Sequence, residues 1–476
     1  EAGRYIEELP QYGVTFVSKD GTWDRVRGPG HSLPRTYRVR SDRSGAQGLA
    51  VTLALRAQIE SLGVQLLEGF VALALLGTGE RLAGAVLAQR TTGRRLLVEA
   101  KAVVLATGGA AFLYERTNAT RDVHGDALAL ALAAGATLRD MEMVQFHPTR
   151  CHAPVSMFLT EGLTADGARL LDRYGREFMH RYHPAGNMAP RDARSAAIFD
   201  VVQRGEGVDG GVWLDCSTIP PDRLMLRHGE LVRTLRKHGV DFPRTPLIVS
   251  PAAHFLLGGL AIDPSGSVHG VPGCFAAGEC TGGIHGANRL GGMGFPEALV
   301  FGARAGAAAA AWAKEAAPAQ AYDWIGPEIP SQGAAASTGQ AATAGRPGAG
   351  LDASARLSEM WRRLRRAVWR YASITRDASG LNAALDQILE LQDDARRLLA
   401  AENQLHDRAL AAITELRLAL RTAEAIVRSA QLRTESRGAH RRSDHPESDP
   451  RWEGSVLVRQ VGEDLRVTFR PTTTPT

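Results

Sequence analysis

The segment Gly278-Glu279-Cys280-Thr281-Gly282-Gly283-Ile284-His285-Gly286-Ala287-Asn288-Arg289-Leu290-Gly291-Gly292 constrains this chain more than any other. It packs six glycines around one carboxylate, one histidine and one arginine. The apolar run Cys274-Phe275-Ala276-Ala277 before it reads as a buried strand, and Glu297 to Ala307 after it reads as a helix of small residues. Glycines at this density let backbone lie directly against a flat or phosphorylated ligand. A lone arginine beside them suits a carboxylate, because its planar fork binds two oxygens at once. For the glycines alone, a plain turn joining strand to helix is the competing reading.

The same alternation recurs upstream. Lys101 to Ala106 is a short apolar strand running into Thr107-Gly108-Gly109, a pattern typical of parallel sheets. Before it, Ala46 to Leu62 reads as a helix with Leu49, Leu53, Ala57 and Ile59 near one face, and Val64 to Glu68 as a strand. Val71–Leu76, Leu82–Arg90 and Arg94–Glu99 read as an antiparallel meander. Asp122 to Ala134 is a helix stopped by Gly135, and further helices are expected near 191–204 and 229–237. Residues 315–350, dominated by Ala, Gly, Ser, Pro and Gln, have a linker's composition. Ala353–Tyr371 and Leu381–Arg433 are long helical patterns, and Ser455–Arg470 alternates as a terminal hairpin.

These patterns give an α/β chain with a discontinuous first lobe. It divides into a lobe over 1–137, a loop-rich capping lobe over 138–250, a return to the first lobe over 251–314, a linker over 315–350 and a helical domain over 351–476. The length of 476 residues suffices for several cores. Net charge is +5 and all but four of the 56 basic residues are arginines, yet acidic residues interleave with them throughout. No basic block alternates with aromatics, which argues against nucleic-acid binding. The four cysteines, Cys151, Cys216, Cys274 and Cys280, form no C-x-x-C pair. That argues against a zinc or iron–sulfur site and against a disulfide framework, and favours a reducing, cytoplasmic compartment. No apolar run approaches 18 residues, so no spanning helix is expected. The literal Gly205-x-Gly207-x-x-Gly210 match follows a helix and precedes a strand, the reverse of a dinucleotide-binding turn.

Several runs together resemble the flavoprotein subunits of fumarate reductase and succinate dehydrogenase, together with L-aspartate oxidase. They are the 278–292 segment, Ala106-Thr107-Gly108-Gly109, His124-Gly125-Asp126, Asp140-Met141-Glu142-Met143-Val144-Gln145-Phe146-His147-Pro148-Thr149, Thr160-Glu161-Gly162, Ala189-Pro190-Arg191-Asp192, Pro251-Ala252-Ala253-His254 and Glu435-Ser436-Arg437-Gly438-Ala439-His440. The resemblance implies a Rossmann-like FAD-binding lobe truncated at its N-terminus, an α+β capping lobe and a C-terminal helical domain. It implies FAD held by Ala106, Thr107, Gly108, Gly109, Asp126 and Glu279, with backbone at Gly294 and Phe295 helping. It implies a small dicarboxylate held by His147, Thr160, His254 and Arg289, and catalysis by Arg191 with Glu161 and Asp192. The family's glycine fingerprint and flavin-linking histidine lie upstream of anything matching Glu1, so the sequence is expected to be a fragment, to rely on a split partner, or to bind FAD poorly.

The implied reaction is hydride transfer between flavin N5 and a four-carbon dicarboxylate, with L-aspartate oxidation or a non-catalytic homologue as alternatives. A separate iron–sulfur subunit would exchange electrons and give indirect attachment to the inner face of the membrane. Two positions depart from the pattern. Members pair the relay glutamate with an arginine three residues later, where this chain has Thr164, and Gly292-Met293-Gly294-Phe295 replaces the usual Asn-Ser-Leu after the glycines.

Overall fold

The computed structural model describes residues 1–19, 21–41, 47–326, 349–401 and 407–472. A helix, α1 (Gln47–Ser61), ends at Gly63, whose left-handed φ of 70° turns the chain so that Val64 N–H closes on the Ile59 carbonyl. The strand expected over 64–68 does not form. Among the described residues no strand pairs with it, and Val64, Leu66 and Leu67 stay exposed. Leu49, Leu53 and Ile59 of α1 are exposed as well, while Val51 is the buried residue of this helix.

The meander forms as β1 (Phe70–Gly77), β2 (Leu82–Gln89) and β3 (Arg95–Glu99), paired antiparallel in that order. Asp323–Ile325 adds to the outer side of β1, and the expected linker residues 327–348 lie outside the described residues. Then β4 (Val103–Leu105) leads to α2 (Asp126–Ala133), whose Ala127 to Leu132 are all buried. Such a helix, apolar all round, belongs inside a core.

The capping lobe is built on β5 (Val144–Ala153), which carries the site histidine His147. A single-turn helix, α3 (Gly162–Ala165), is followed by α4 (Arg191–Gln203) and α5 (Pro221–Lys237). The last starts eight residues before the expected 229. A kink at His228 (φ −132°) splits it, and only the second half shows as a helical pattern in the sequence. The fold returns through β6 (Leu247–Leu256), which pairs antiparallel with β5 at the centre of a five-stranded sheet. Phe178, Ile198, Leu214, Leu235 and Phe242 fill a core of their own between this sheet and its helices.

Next, β7 (Cys274–Ala276) pairs in parallel with β4, matching Cys274 to Val103 and Ala276 to Leu105. The glycine segment follows and feeds α6 (Gly294–Glu315). At the C-terminus, α7 (Ala349–Ala372), α8 (Ala378–Ala401) and α9 (Asp407–Leu432) share one apolar core with α2 and β5. The long helical pattern over 381–433 is thus two helices of the bundle, with Leu391 and Ile426 buried in the same core. The hairpin β8 (Gly454–Val461) and β9 (Asp464–Pro471) forms as expected. Its first strand pairs with Leu138–Arg139, so the C-terminus completes a sheet begun near the entry to the capping lobe.

Candidate active site

The adjacent strands β5 and β6 bring His147 and His254 together, with ring centroids 5.2 Å apart. Phe158 covers both, at 4.4 Å from His147 and 5.9 Å from His254. The Thr149 N–H donates to His147 Nδ1 at 3.3 Å, which assigns the ring proton to Nε2. That Nε2 is buried without a hydrogen-bond partner, 4.0 Å from a Glu161 oxygen. Asn118 holds His254 Nδ1 at 3.0 Å. Burial drives the pKa of both imidazoles well below the usual histidine value, and Glu161 opposes this only in part, so both are neutral at pH 7.

Glu161 precedes α3, and Arg191 opens α4 immediately after Pro190. Arg191 Nε donates to Glu161 at 2.7 Å and its Nη1 to Gln145 Oε1 at 2.8 Å. The other Glu161 oxygen accepts from Arg194, one helical turn beyond Arg191 and fully buried. Burial alone would raise the Glu161 carboxyl, but Arg191 and Arg194 overwhelm it and hold the pKa well below the carboxylate range. Gln145 turns its Nε2 the other way, donating to the Arg289 carbonyl at 2.7 Å and to Asn288 at 3.1 Å. Asn288 in turn donates to Asp192 at 2.7 Å. Gln145 therefore ties the arginine helix to the glycine segment.

The Arg289 guanidinium lies 3.9 Å above the Phe255 ring, with Nε buried and unpartnered. Burial lowers its pKa to about 10, which leaves it charged at pH 7. Around the two neutral histidines, three guanidiniums face one carboxylate, and the surplus is two positive charges. Such a pocket suits a dianion. The segment bearing Arg289 is pinned by His285, whose Nε2 lies 2.7 Å from Glu297 in the first turn of α6. Thr160 is exposed, and its hydroxyl accepts from Gly162 N–H at 3.2 Å.

The expected cofactor residues gather at the strand ends. Ala106 and Thr107 are exposed beyond β4. Gly108 takes a left-handed φ of 74°. A Cβ at Gly109 would collide with the Glu279 carboxyl, so a larger residue there would have to displace that side chain. Glu279 accepts from the Leu256 N–H at 3.0 Å, and burial lifts its carboxyl to about 7. A side-chain-free strand end beside a carboxyl that can donate or accept fits a flavin's polyol chain. Asp126 opens α2, whose preceding Gly125 packs on Ala110. Gly294 falls beside Arg289 instead, since a Cβ there would lie 3.1 Å from the Phe255 ring and 3.2 Å from Arg289. Phe295 is half-exposed over Gly48 of α1.

Gln145, Asn288, Phe158 and Arg194 were not among the expected site residues. Gln145 and Asn288 stand inside runs whose neighbours were assigned. Arg194 is three residues past Arg191, a helical spacing that puts both on one face.

Comparison with known proteins follows the same division. Residues 1–295 match the FAD binding domain family and residues 361–476 the fumarate reductase flavoprotein C-terminal family. One subunit of the CoM/CoB fumarate reductase of Methanothermobacter marburgensis is 33% identical over 468 residues, covering 97% of this chain and 82% of that protein. An L-aspartate oxidase from a Nostoc species is 32% identical over 487 residues, covering 97% and 79%. Among solved structures, E. coli quinol fumarate reductase FrdA superposes with a TM-score of 0.81 at 25% identity, covering 100% of this chain and 83% of that one. The chain therefore belongs to the FAD-dependent oxidoreductases of the fumarate reductase, succinate dehydrogenase and L-aspartate oxidase family.

Proposed function

We propose that this flavoprotein interconverts fumarate and succinate, holding the four-carbon dianion between Arg289, His147, His254 and Thr160 and moving its proton through Arg191. The observation that carries this reading is the surplus of two positive charges in a pocket whose histidines are neutral. One carboxylate finds the unpartnered Arg289 guanidinium, and the Nε2–H of His147 is a free donor for the other end. Desolvation strengthens each such bond. Bound FAD supplies the two-electron chemistry, and Ala106, Thr107, Gly108, Gly109, Asp126 and Glu279 would hold it, with Phe295 at the rim. Asp192, bonded to Asn288, acts on geometry by steadying the arginine helix against the Arg289 segment.

Electrons then need an outside partner. Among the described residues no cluster of histidine, cysteine and carboxylate side chains could hold a metal, and the four cysteines are buried singly. The partner we propose is a separate iron–sulfur subunit. No described helix is long and apolar enough to cross a membrane, so attachment to the inner face of the cytoplasmic membrane would run through partners.

L-Aspartate oxidation is the second reading, favoured by relatives of that name at 31–34% identity. Product analysis of the purified flavoprotein separates the two. Succinate formed from fumarate with a reduced dye, and no iminoaspartate from aspartate, supports the first reading. The opposite pattern overturns it.

A further inference from the structure

We propose that Arg194 is the outer guanidinium of a proton relay, Arg194–Glu161–Arg191, in which both arginines ride on α4. This deepens the dicarboxylate reading above and rests on it.

The need is chemical. A guanidinium stays protonated at ordinary pH, so Arg191 can give a proton to a substrate carbon only if the proton is replaced at once. Its contacts narrow the source. Gln145 meets Arg191 with Oε1, which only accepts, and Glu161 is the titratable group bonded to it. Beyond Glu161 stand two groups. His147 is fully buried and its Nδ1 is already taken by Thr149, so it leads nowhere. Arg194 is bonded directly to the second Glu161 oxygen. Thr164, one turn past Glu161 on α3, is buried and carries no charge.

Arg194 is also poorly explained as a structural residue. Its side chain is fully buried, which carries a large desolvation cost. Against that cost it makes one ion pair and one bond, Nε to the Ala189 carbonyl at 2.9 Å, and leaves Nη1 buried with no partner. An unpartnered donor on the far side of the guanidinium is where a proton-bearing water would enter. The relay's second arginine therefore comes from a different element than the sequence position three past Glu161.

The balance is simple in the reducing direction. One proton leaves Arg191 for the substrate carbon and Glu161 passes one to Arg191. Arg194 passes one to Glu161 and takes one from water. One solvent proton is consumed per turnover, both electrons and the remaining hydrogen being the flavin's.

The test uses the full chain with flavin bound. Arg194→Met should lower fumarate turnover about 100-fold while the visible spectrum and the calorimetric affinity for malonate stay within about threefold of wild type. Its solvent isotope effect should rise as proton resupply becomes limiting. Arg194→Lys, or Arg194→Ala combined with Thr164→Arg, should recover about tenfold of that loss, because a cation from either element can serve Glu161. Rescue by neither overturns the relay. So does an Arg194→Met protein within about threefold of wild-type turnover, or one that loses malonate affinity along with turnover. A wild-type protein inactive on dicarboxylates refutes the underlying reaction, and the relay with it, which separates that failure from an active wild type with an active Arg194→Met.

Discussion

Two buried clusters of arginine and carboxylate differ in how completely their central arginines are bonded. At the junction of the C-terminal helices, Arg433 spends every nitrogen. Nε meets Glu142 at 2.6 Å, Nη1 meets Glu435 at 2.9 Å and the Trp452 carbonyl at 2.9 Å, and Nη2 meets the Gly454 carbonyl at 3.1 Å. Its charge faces the two carboxylates it bonds. At the candidate site, Arg289 Nε, Arg194 Nη1 and His147 Nε2 are all buried without partners, and positive charge is in surplus. The carboxyls differ accordingly. Burial prevails at Glu142 and lifts it to about 7, whereas two arginines hold Glu161 well below its ordinary value. A buried arginine that is fully bonded locks two elements together. In the candidate site the unbonded nitrogens of Arg289 and Arg194 leave donors open to a ligand or a water.

Replacing arginines in each cluster should therefore break different properties. Arg191→Gln should cut dicarboxylate turnover by about 1000-fold or more with the flavin spectrum intact, and retained turnover would remove it from the reaction. Arg433→Met leaves Glu142 buried without its cation, while Glu435 keeps Arg437. It should cost about 3–5 kcal/mol in urea unfolding, while turnover per folded molecule holds. If instead it abolishes turnover without loss of stability, the contrast between the clusters fails. Arg289→Met should raise KM for fumarate by about 100-fold, more than it lowers kcat, as steady-state kinetics would show.

A smaller effect is common to both regions. His147, His254 and His440 are buried and neutral, with pKa values well below 6.5. The unfolded chain then binds more protons than the folded one below pH 6.5, so stability is complete above that value and falls as pH drops beneath it. His254→Gln and His440→Gln should each flatten the slope of stability against pH between 5 and 6.5, by up to about 1.4 kcal/mol per pH unit. An unchanged slope in melting experiments would mean that these rings titrate normally.

Much of the architecture was legible along the chain because its signals are local. The meander, the apolar strand into Thr107-Gly108-Gly109, the all-buried α2 and the terminal hairpin each declare themselves by period and turn residues within about a dozen positions. The strand expected over 64–68 failed because an apolar run becomes a strand only beside a partner, and no strand pairs with it among the described residues. The first half of α5 was illegible because His228 breaks the period where its Nε2 turns to Asp166 at 2.9 Å.

At the candidate site, His147, Glu161, Arg191, His254 and Arg289 stood out as chemical types within distinctive runs, and the structure brings their side chains near one another. The sequence alone determined which residues carry charge and which glycines leave room for a ligand, since those properties belong to each residue. Which arginine meets Glu161 was decided only by the tertiary structure. Thr164 is its neighbour along the chain, but Arg194, carried on α4 beside Arg191, is the second cation folded against it. Coulomb energy depends on distance through space, and that distance is set by how α3 and α4 pack over the sheet.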